Sequence, residues 1–304
     1  MVKRIALASV CFGLALGPMV AVAQQKMLDV PYVPTKYPVV DEMLRIVGVD
    51  KGDIVYDLGC GDGRIVITAA QRYGAKGVGF DIDPERIQES RDNAKKAGVT
   101  GLVQFFEQDL FTADFHQASV MTLYLLTSVN LKLRPKILRE LKPGTRVVSH
   151  NFGMGEWKPD QSSSVDVDDI THEVYFWVIP ANITGTWTWT MGKPALSTEM
   201  KLDQAFQYPT GTAKVNGKAA EVKDLTLKGD QVRFVIERPF EEKVVPMVFE
   251  GKAQGHAITG TVKFPSNGKE IIWEWKAKRN PATEKAIDGE SSKTNRPFSL
   301  KIGK

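Results

Sequence analysis

Three glycines and three strand-end acids carry most of the chemistry this sequence offers. An apolar run, Ile54-Val55-Tyr56, leads into Asp57-Leu58-Gly59-Cys60-Gly61-Asp62-Gly63-Arg64, and a helix-like pattern, IVITAAQRYG, follows. Glycines at such a turn leave the backbone bare, so a ligand can come into contact with it. The spacing is G-x-G-x-G, whereas a loop that presents a pyrophosphate to a helix N-terminus needs its third glycine one place later. Asp57 stands just ahead of the loop, where an acid suits a ligand with a cationic amino group and no pyrophosphate. Twenty-four residues on, Gly79-Phe80-Asp81-Ile82-Asp83-Pro84 closes a second apolar run. An acid there is placed to accept from both hydroxyls of a ribose. A third run ends in Glu107-Gln108-Asp109-Leu110, where a carboxylate can take a donor from an adenine amino group and an apolar neighbour can cover the ring. Any one of these acids alone reads as a helix cap or a solvated turn. In order, at successive strand ends, they read as one site.

The elements that must position them follow from periodicity. Strands are expected at 54–58, 77–81, 102–107, 119–125 and 144–150, and helices at 63–73, 84–97 and 130–141. Ahead of them LDVPYVPTKYPVV, with Pro31, Pro34 and Pro38, reads as an extended arm. Val40, Met43, Leu44 and Val47 then recur at helical spacing. Alternating helices and near-continuous apolar strands predict an α/β, doubly wound, mostly parallel sheet with helices on both faces. A polar connection is expected from Ser162 to Asp169, and one more buried strand at 173–179. From residue 183 the pattern changes to eight short alternating runs with turn residues between them and no helical segment. That predicts an all-β antiparallel barrel or sandwich. Charge shifts with it, from a net −4 over 24–182 to a net +6 over 183–304. The domain reading is therefore 1–23 leader, 24–182 first domain, 183–280 barrel and 281–304 a polar, disordered tail.

The leader has Lys3 and Arg4, an apolar stretch from Ile5 to Ala23 and the ending Ala21-Val22-Ala23. This is the layout of a secretory signal peptide cleaved after Ala23, with an uncleaved inner-membrane anchor as the alternative. The expected location is outside the cytoplasm, in the periplasm, with membrane proximity if the segment stays. Cys60 would then be the one cysteine left, so no intrachain disulfide is expected. His116, His150, His172 and His256 are scattered, and no metal site is expected.

DLGCGDGR, GFDIDP and EQDL together resemble the class I, seven-strand, Rossmann-like S-adenosylmethionine-dependent methyltransferases over roughly residues 30 to 180. The resemblance implies S-adenosyl-L-methionine as cofactor, with Asp57, Gly59, Gly61 and Gly63 at its methionine end, Asp81 and Ile82 at its ribose, and Asp109 and Leu110 at its adenine. PYVPT, TLYLLTSVNLKLRPKILRELKPGTRVVSHNF and Trp157 are similar to a bacterial exported group distantly related to mitochondrial protein-lysine methyltransferases. That implies an amine acceptor, a protein lysine or a small molecule. The Asn-Pro-Pro-Tyr type tetrapeptide of enzymes acting on bases is replaced by LYLLTS, so no nucleic acid partner is expected. Methyl transfer asks the protein to hold an unprotonated acceptor in line with the methyl group and to exclude water. Acceptor-side candidates follow the fourth and fifth strands: Tyr124, Thr127, Asn130, His150, Asn151 and Phe152. His150 could be a general base or a strand-end histidine bonded to backbone. Tyr32 and Thr35 of the arm could fold over the cofactor.

Gly185-Thr186-Trp187, with Trp275 and Arg279 at the far end, is similar to a lipocalin-type barrel, in which an arginine from the last strand covers the first-strand tryptophan. Such a barrel either encloses a ligand or is filled by its own side chains. Two other readings of the whole chain stay open at this point: a small-molecule O-methyltransferase, and a non-catalytic cofactor-binding module.

Overall fold

The structure is a computed structural model that describes residues 30–192, 195–240, 243–266 and 268–287. The leader expected at 1–23 lies outside the described residues. The chain begins as an arm without regular structure over 30–36. It then enters α1 (Tyr37–Ile46), whose Val39, Val40, Met43 and Leu44 face the core. β1 (Ile54–Leu58) runs into the glycine loop. Gly63, at φ 78°, opens α2 (Arg64–Tyr73), and Gly74, at φ 69°, closes it; both conformations favour residues without a Cβ. After β2 (Lys76–Asp81) comes α3 (Pro84–Lys96). The Asp83 side chain caps α3 by accepting from the Glu85 N–H, and proline sits in its first turn. β3 (Val103–Glu107), β4 (Val120–Leu123), α4 (Thr127–Glu140), β5 (Arg146–His150), β6 (Gln161–Val167) and β7 (Ile170–Val178) complete this half.

The seven strands lie in the order β3-β2-β1-β4-β5-β7-β6. β1 to β5 pair in parallel, and β7 is antiparallel to both β5 and β6. The chain therefore builds outward from β1 in one direction and then from β4 in the other. The crevice this leaves beyond the carboxyl ends of β1 and β4 is where open α/β sheets bind ligands. One apolar cluster packs α1, α2 and α3 on one face, and a second packs α4, Phe115, Trp157 and Trp177 on the other.

The polar connection expected from Ser162 to Asp169 is corrected: it is strand β6 and its turn. An edge strand with a solvated face needs no apolar run, and only Val165 and Val167 reach the core. Asp168 and Asp169, at φ 52° and 62°, make the tight turn into β7.

The second sheet has nine antiparallel strands among the described residues: β8 (Gly185–Met191), β9 (Leu196–Ala205), β10 (Tyr208–Val215), β11 (Lys218–Ala220), β12 (Val222–Lys228), β13 (Gln231–Phe240), β14 (Lys243–Gln254), β15 (Ala257–Ser266) and β16 (Lys269–Arg279). Its end strands are β11 and β12, and β12 comes round against β10, the strand beside β11, so the sheet is nearly a closed barrel. Its interior is filled by Trp189, Phe234, Phe249 and Trp275, whose neighbouring rings lie 4.8 to 6.2 Å apart.

The Arg279 guanidinium lies 5.2 Å from the Trp187 ring centroid. It also donates to the carbonyls of Asn182 at 2.9 Å and Gly255 at 2.9 Å and pairs with Glu284 at 3.0 Å. With this side chain only 2% exposed, Arg279→Ala is expected to cost about 3 kcal/mol in chemical denaturation, because buried carbonyls lose their donors. Arg279→Lys recovers only part of that, since an ammonium cannot span the same fork.

The tail expectation is corrected for 281–287. Pro281–Thr283 is a 3-10 turn capped by the Asn280 side chain. Beyond it the Lys285 carbonyl accepts from Asn182 and from Thr184, and Ile287 is buried. Side-chain hydrogen bonds to a backbone carbonyl leave no apolar signature in a polar sequence. Residues 288–304 lie outside the described residues.

The two sheets also meet away from their connection. Phe206, at the β9–β10 turn, stacks on Trp157 at 5.8 Å and lies beneath the Arg134 guanidinium at 5.1 Å. The neighbouring Gln207 amide donates to the Lys158 carbonyl at 2.8 Å.

Candidate cofactor cleft and acceptor side

A cleft of about 1030 Å³, open mouth included, lies at the carboxyl edge of β1, β2 and β4. Asp57, Gly59, Gly61, Asp81, Ile82, Asp109, Leu110 and Tyr124 all line it. The strand registers explain the convergence. Asp57 pairs with Thr122 across β1 and β4, and the Thr122 hydroxyl donates to the Asp57 carboxylate at 2.6 Å. Asp81 ends β2, where one carboxylate oxygen accepts from the Gly61 N–H at 2.8 Å and the other from the Asp83 N–H at 3.0 Å. The Gly59 and Cys60 N–H groups share the Phe80 carbonyl, each at 2.9 Å. The glycine loop is thus tied to β2 before any ligand arrives. Asp109 accepts from the Phe111 N–H at 2.9 Å, which sets the turn carrying Leu110 and Phe111 into the cleft.

Two glycines differ in role. A Cβ on Gly61 would overlap the Tyr32 ring, so this residue lets the arm close over the loop. Gly63 lies between two cleft-lining residues, Asp62 and Arg64, and is not itself part of the lining. A Cβ there would come within 2.7 Å of Phe105 and 2.9 Å of Ser90, and its work is to seat α2 against β3 and α3.

The arm is the roof of the site. Val30 to Thr35 all line the cleft. Arg64 anchors them, donating to the Thr35 carbonyl at 2.9 Å while paired with Asp62 at 2.6 Å and lying over the Tyr37 ring. Arg86 lies over the Tyr32 ring at 4.7 Å. Arg64 closes the DLGCGDGR motif, whereas Arg86 belongs to none and acts here through spatial proximity alone.

Asp57 is fully buried beside Asp81 and Asp62. Burial pushes its carboxyl up to about 7, the Thr122 hydrogen bond opposes this, and the two neighbouring acids add to it. A buried acid with acid neighbours and, among the described residues, no cation in contact fits a ligand that brings an ammonium group. The bare loop backbone and the carboxylates at two further strand ends fit the rest of S-adenosylmethionine, so the residues present suit the cofactor.

The acceptor-side candidates separate. Tyr124 reaches the cleft, and its ring stacks on His150 with centroids 3.8 Å apart. His150 is 1% exposed and does not line the cleft. Its Nδ1 lies 3.2 Å from the Thr35 hydroxyl and its Nε2 2.9 Å from His172 Nδ1. Burial, and then His172, push its imidazole down to about 4. Asn151, left-handed at φ 59°, spends its side-chain oxygen on the Glu173 N–H at 2.8 Å and so shapes the strand end. Asn130 is buried and donates to the Phe152 carbonyl at 3.0 Å; Thr127 is exposed at the start of α4. Phe152 faces Tyr124 with ring centroids 6.0 Å apart. His172 carried no signal in the sequence, because only the antiparallel β5–β7 register brings it beside His150.

A surface trio, Asp114, His116 and Glu140, gathers ligand atoms within 4.8 Å of one another. Its members are already engaged, His116 with Asp114 at 2.5 Å and Glu140 with Lys136 at 2.7 Å.

Comparison with known proteins adds an independent line. A family profile described as the ANTKMT methyltransferase domain matches residues 57–161. A protein-lysine N-methyltransferase of Saccharolobus islandicus is 50% identical over 151 residues, covering 49% of this chain and 94% of that protein. The adenine nucleotide translocase lysine N-methyltransferase of Mus musculus is 33% identical over 132 residues, covering 43% of this chain and 57% of that protein. Among solved structures, an RNA methyltransferase from Salinibacter ruber in complex with S-adenosyl-L-homocysteine is 56% identical, covering 50% of this chain and 96% of that one with a TM-score of 0.47.

Proposed function

We propose that this chain, which belongs to the protein-lysine N-methyltransferase family of S-adenosylmethionine-dependent enzymes, transfers a methyl group to the side-chain amine of a lysine in a protein. The observation that carries this is the convergence of Asp57, Asp81 and Asp109 with the glycine loop on one roofed cleft, in a chain with curated relatives named for lysine methylation. When bound, S-adenosylmethionine supplies a methyl group on a sulfonium that is itself the leaving group. In this reading Asp57 holds the cofactor's ammonium, Asp81 with Ile82 the ribose, and Asp109 with Leu110 the adenine. Tyr32 and the rest of the arm exclude water, and Tyr124 with Phe152 lines the path of the acceptor.

Calorimetric titration with S-adenosylhomocysteine tests the binding half, and absence of binding heat would sink it. Tritiated S-adenosylmethionine in a bacterial extract tests the acceptor. Label released by protease and recovered as methyl-lysine supports the reading. Label released by ribonuclease, or carried by small molecules, overturns it.

The state of Asp57 makes a pH prediction. A carboxyl raised to about 7 is neutral below that pH in the free protein, and it favours the fold below the ordinary carboxylate range. That contribution is lost as pH rises toward 7. Binding an ammonium needs the ionised form, so S-adenosylhomocysteine affinity should rise by up to about tenfold per unit as pH approaches 7 and then level off. In Asp57→Asn the amide keeps an acceptor for Thr122, and the pH dependence should vanish along with most of the affinity. A pH-independent wild-type affinity would remove Asp57 from this role.

We also propose that the chain belongs to a bacterial exported group and works in the periplasm, on the strength of the basic start, apolar stretch and Ala-x-Ala ending of residues 1–23. Because the cofactor is made in the cytosol, that location requires a supply across the inner membrane. Fractionation with N-terminal sequencing of the mature protein decides: a chain starting at Gln24 supports export with cleavage, an intact leader in the membrane fraction supports an inner-membrane anchor, and a cytosolic full-length chain overturns both. No described helix is long and apolar enough to cross a membrane.

A further inference from the structure

Lysine methylation poses a problem that the cofactor-binding residues leave unsolved. The acceptor arrives as an ammonium with an ordinary pKa near 10.4, and it has no lone pair to offer until a proton leaves. Arm and cofactor together exclude the water that would take it. Of the five cleft-lining carboxylates among the described residues, Asp57, Asp81 and Asp109 are committed to the hydrogen bonds above and, in the proposed function, to the cofactor, Asp62 is paired with Arg64, and Asp83 caps α3.

We propose that Thr35, His150 and His172 form a proton relay that carries the acceptor's proton from the cleft to solvent. This rests on the methyl-transfer reading and extends it. The three groups form an unbroken chain, with Thr35 Oγ1 3.2 Å from His150 Nδ1 and His150 Nε2 2.9 Å from His172 Nδ1. Thr35 lines the cleft, His150 is buried, and His172 is partly exposed on β7. The chain thus runs from the site to the surface through a residue that water does not reach.

The direction of transfer follows from donor chemistry. Burial keeps His150 neutral at physiological pH, so one of its ring nitrogens accepts and the other donates. In the tautomer that the relay uses, the Thr35 hydroxyl donates to His150 Nδ1, and His150 Nε2–H donates to His172 Nδ1. As the acceptor ammonium gives a proton to Thr35 Oγ1, the Thr35 proton passes to His150 Nδ1 and the His150 Nε2 proton to His172 Nδ1. His172 then releases its other ring proton to water. The net change is an ammonium turned into an amine and one proton delivered to solvent. A concerted passage leaves no lasting positive charge on His150, as its burial requires. The amine lone pair then forms the new N–C bond while the electron pair of the S–C bond returns to sulfur. With product gone and water in the cleft, His172 takes a proton from solvent at Nε2, its Nδ1 proton returns to His150 Nε2, the His150 Nδ1 proton to Thr35 Oγ1, and the Thr35 proton to that water, which restores the starting tautomers.

The groups that could perturb the relay are few and engaged. The Tyr124 ring stacks on His150, and its hydroxyl is bonded to the Asn151 side chain. Arg64 holds the Thr35 carbonyl, and Lys36 pairs with Asp168. Asp166 on β6 accepts from Thr171, and Glu173, next to His172, accepts from Ser164.

The test is the pH profile of initial methylation rate from about pH 6 to about pH 10, bracketing the lysine pKa. It uses the whole protein with tritiated S-adenosylmethionine, and polylysine and a bacterial protein extract as acceptors. In His172→Gln the rate should fall about a hundredfold or more near pH 7, within the range for a lost proton-transfer partner. That deficit should close near pH 10, where the amine is already unprotonated, and S-adenosylhomocysteine affinity should stay at the wild-type value. Thr35→Val should show the same pH-dependent deficit, and Thr35→Ser, which restores a hydroxyl, should recover the rate. A deficit equal at every pH, or none, overturns the relay and leaves the methyltransferase reading standing. Absence of any lysine labelling by the wild-type protein overturns that reading, and the relay with it.

Discussion

Asp81→Ala should weaken S-adenosylhomocysteine binding by about a hundredfold or more. A carboxylate that accepts from two ribose hydroxyls makes two charge-assisted hydrogen bonds, each contributing about 1.5 to 3 kcal/mol. Losing both costs about 3 kcal/mol or more, and every 1.4 kcal/mol is about tenfold in affinity. The same carboxylate also fastens the loop through the Gly61 and Asp83 N–H groups, so the variant loses preorganisation as well as ligand contacts. Asp81→Asn separates these contributions. Its amide oxygen can keep the Gly61 N–H, but its NH₂ can accept neither from the Asp83 N–H nor from a hydroxyl, so it should bind weakly while losing less stability than Asp81→Ala. Calorimetry reads the first quantity and chemical denaturation the second. Unchanged affinity in Asp81→Ala would take the ribose away from β2.

Phe206→Ala should destabilise the protein by about 3 kcal/mol or more, in the range for emptying a buried aromatic site. Phe206→Gly should cost about 1 kcal/mol less than Phe206→Ala, the reverse of the usual order. The reason is the backbone. Phe206 sits at φ 55°, a left-handed conformation that costs a residue with a Cβ about 1 to 2 kcal/mol. The strain is sustained by what the ring does, stacked on Trp157 under the Arg134 guanidinium. Alanine loses the ring and keeps the strain, whereas glycine loses both. Arg134 in turn donates to the Met154 carbonyl at 2.8 Å, in the loop between β5 and β6 that carries Phe152. A loosened loop should slow methyl transfer while leaving S-adenosylhomocysteine binding intact, since the loop contributes nothing to the cofactor end of the cleft. Denaturation midpoints and single-turnover rates check the two halves. Equal stability of the two variants, or alanine above glycine, would show that the turn is not strained in this way. This gives the barrel a mechanical part: with its own interior filled by aromatic rings, what it offers the first domain is a brace behind the acceptor loop.

The sequence by itself was enough for whatever is encoded locally. The glycine loop, the acids at three successive strand ends, the alternation of strand and helix, and the Gly185-Thr186-Trp187 with Arg279 signature each depend on a short stretch meeting one kind of neighbour, and side-chain periodicity reports that directly. The class of cofactor was legible for the same reason, because its binding elements are the first turns of consecutive strand-helix units. The tertiary structure alone decided the contacts that cross the fold. Gly63 looks like its two partners in the loop, yet packing turns it toward Phe105 instead of the cleft. β6 is held by backbone pairing and residues 281–287 by the Asn182 and Thr184 side chains, and neither leaves much trace in apolar periodicity. Phe206 packs on residues some fifty and seventy positions away, and His150 reaches Thr35 and His172 through a strand register that no local pattern records. Periodicity tells a residue which face to bury. Which partner it meets there is set by chain topology, and that is where the acceptor side of this protein is built.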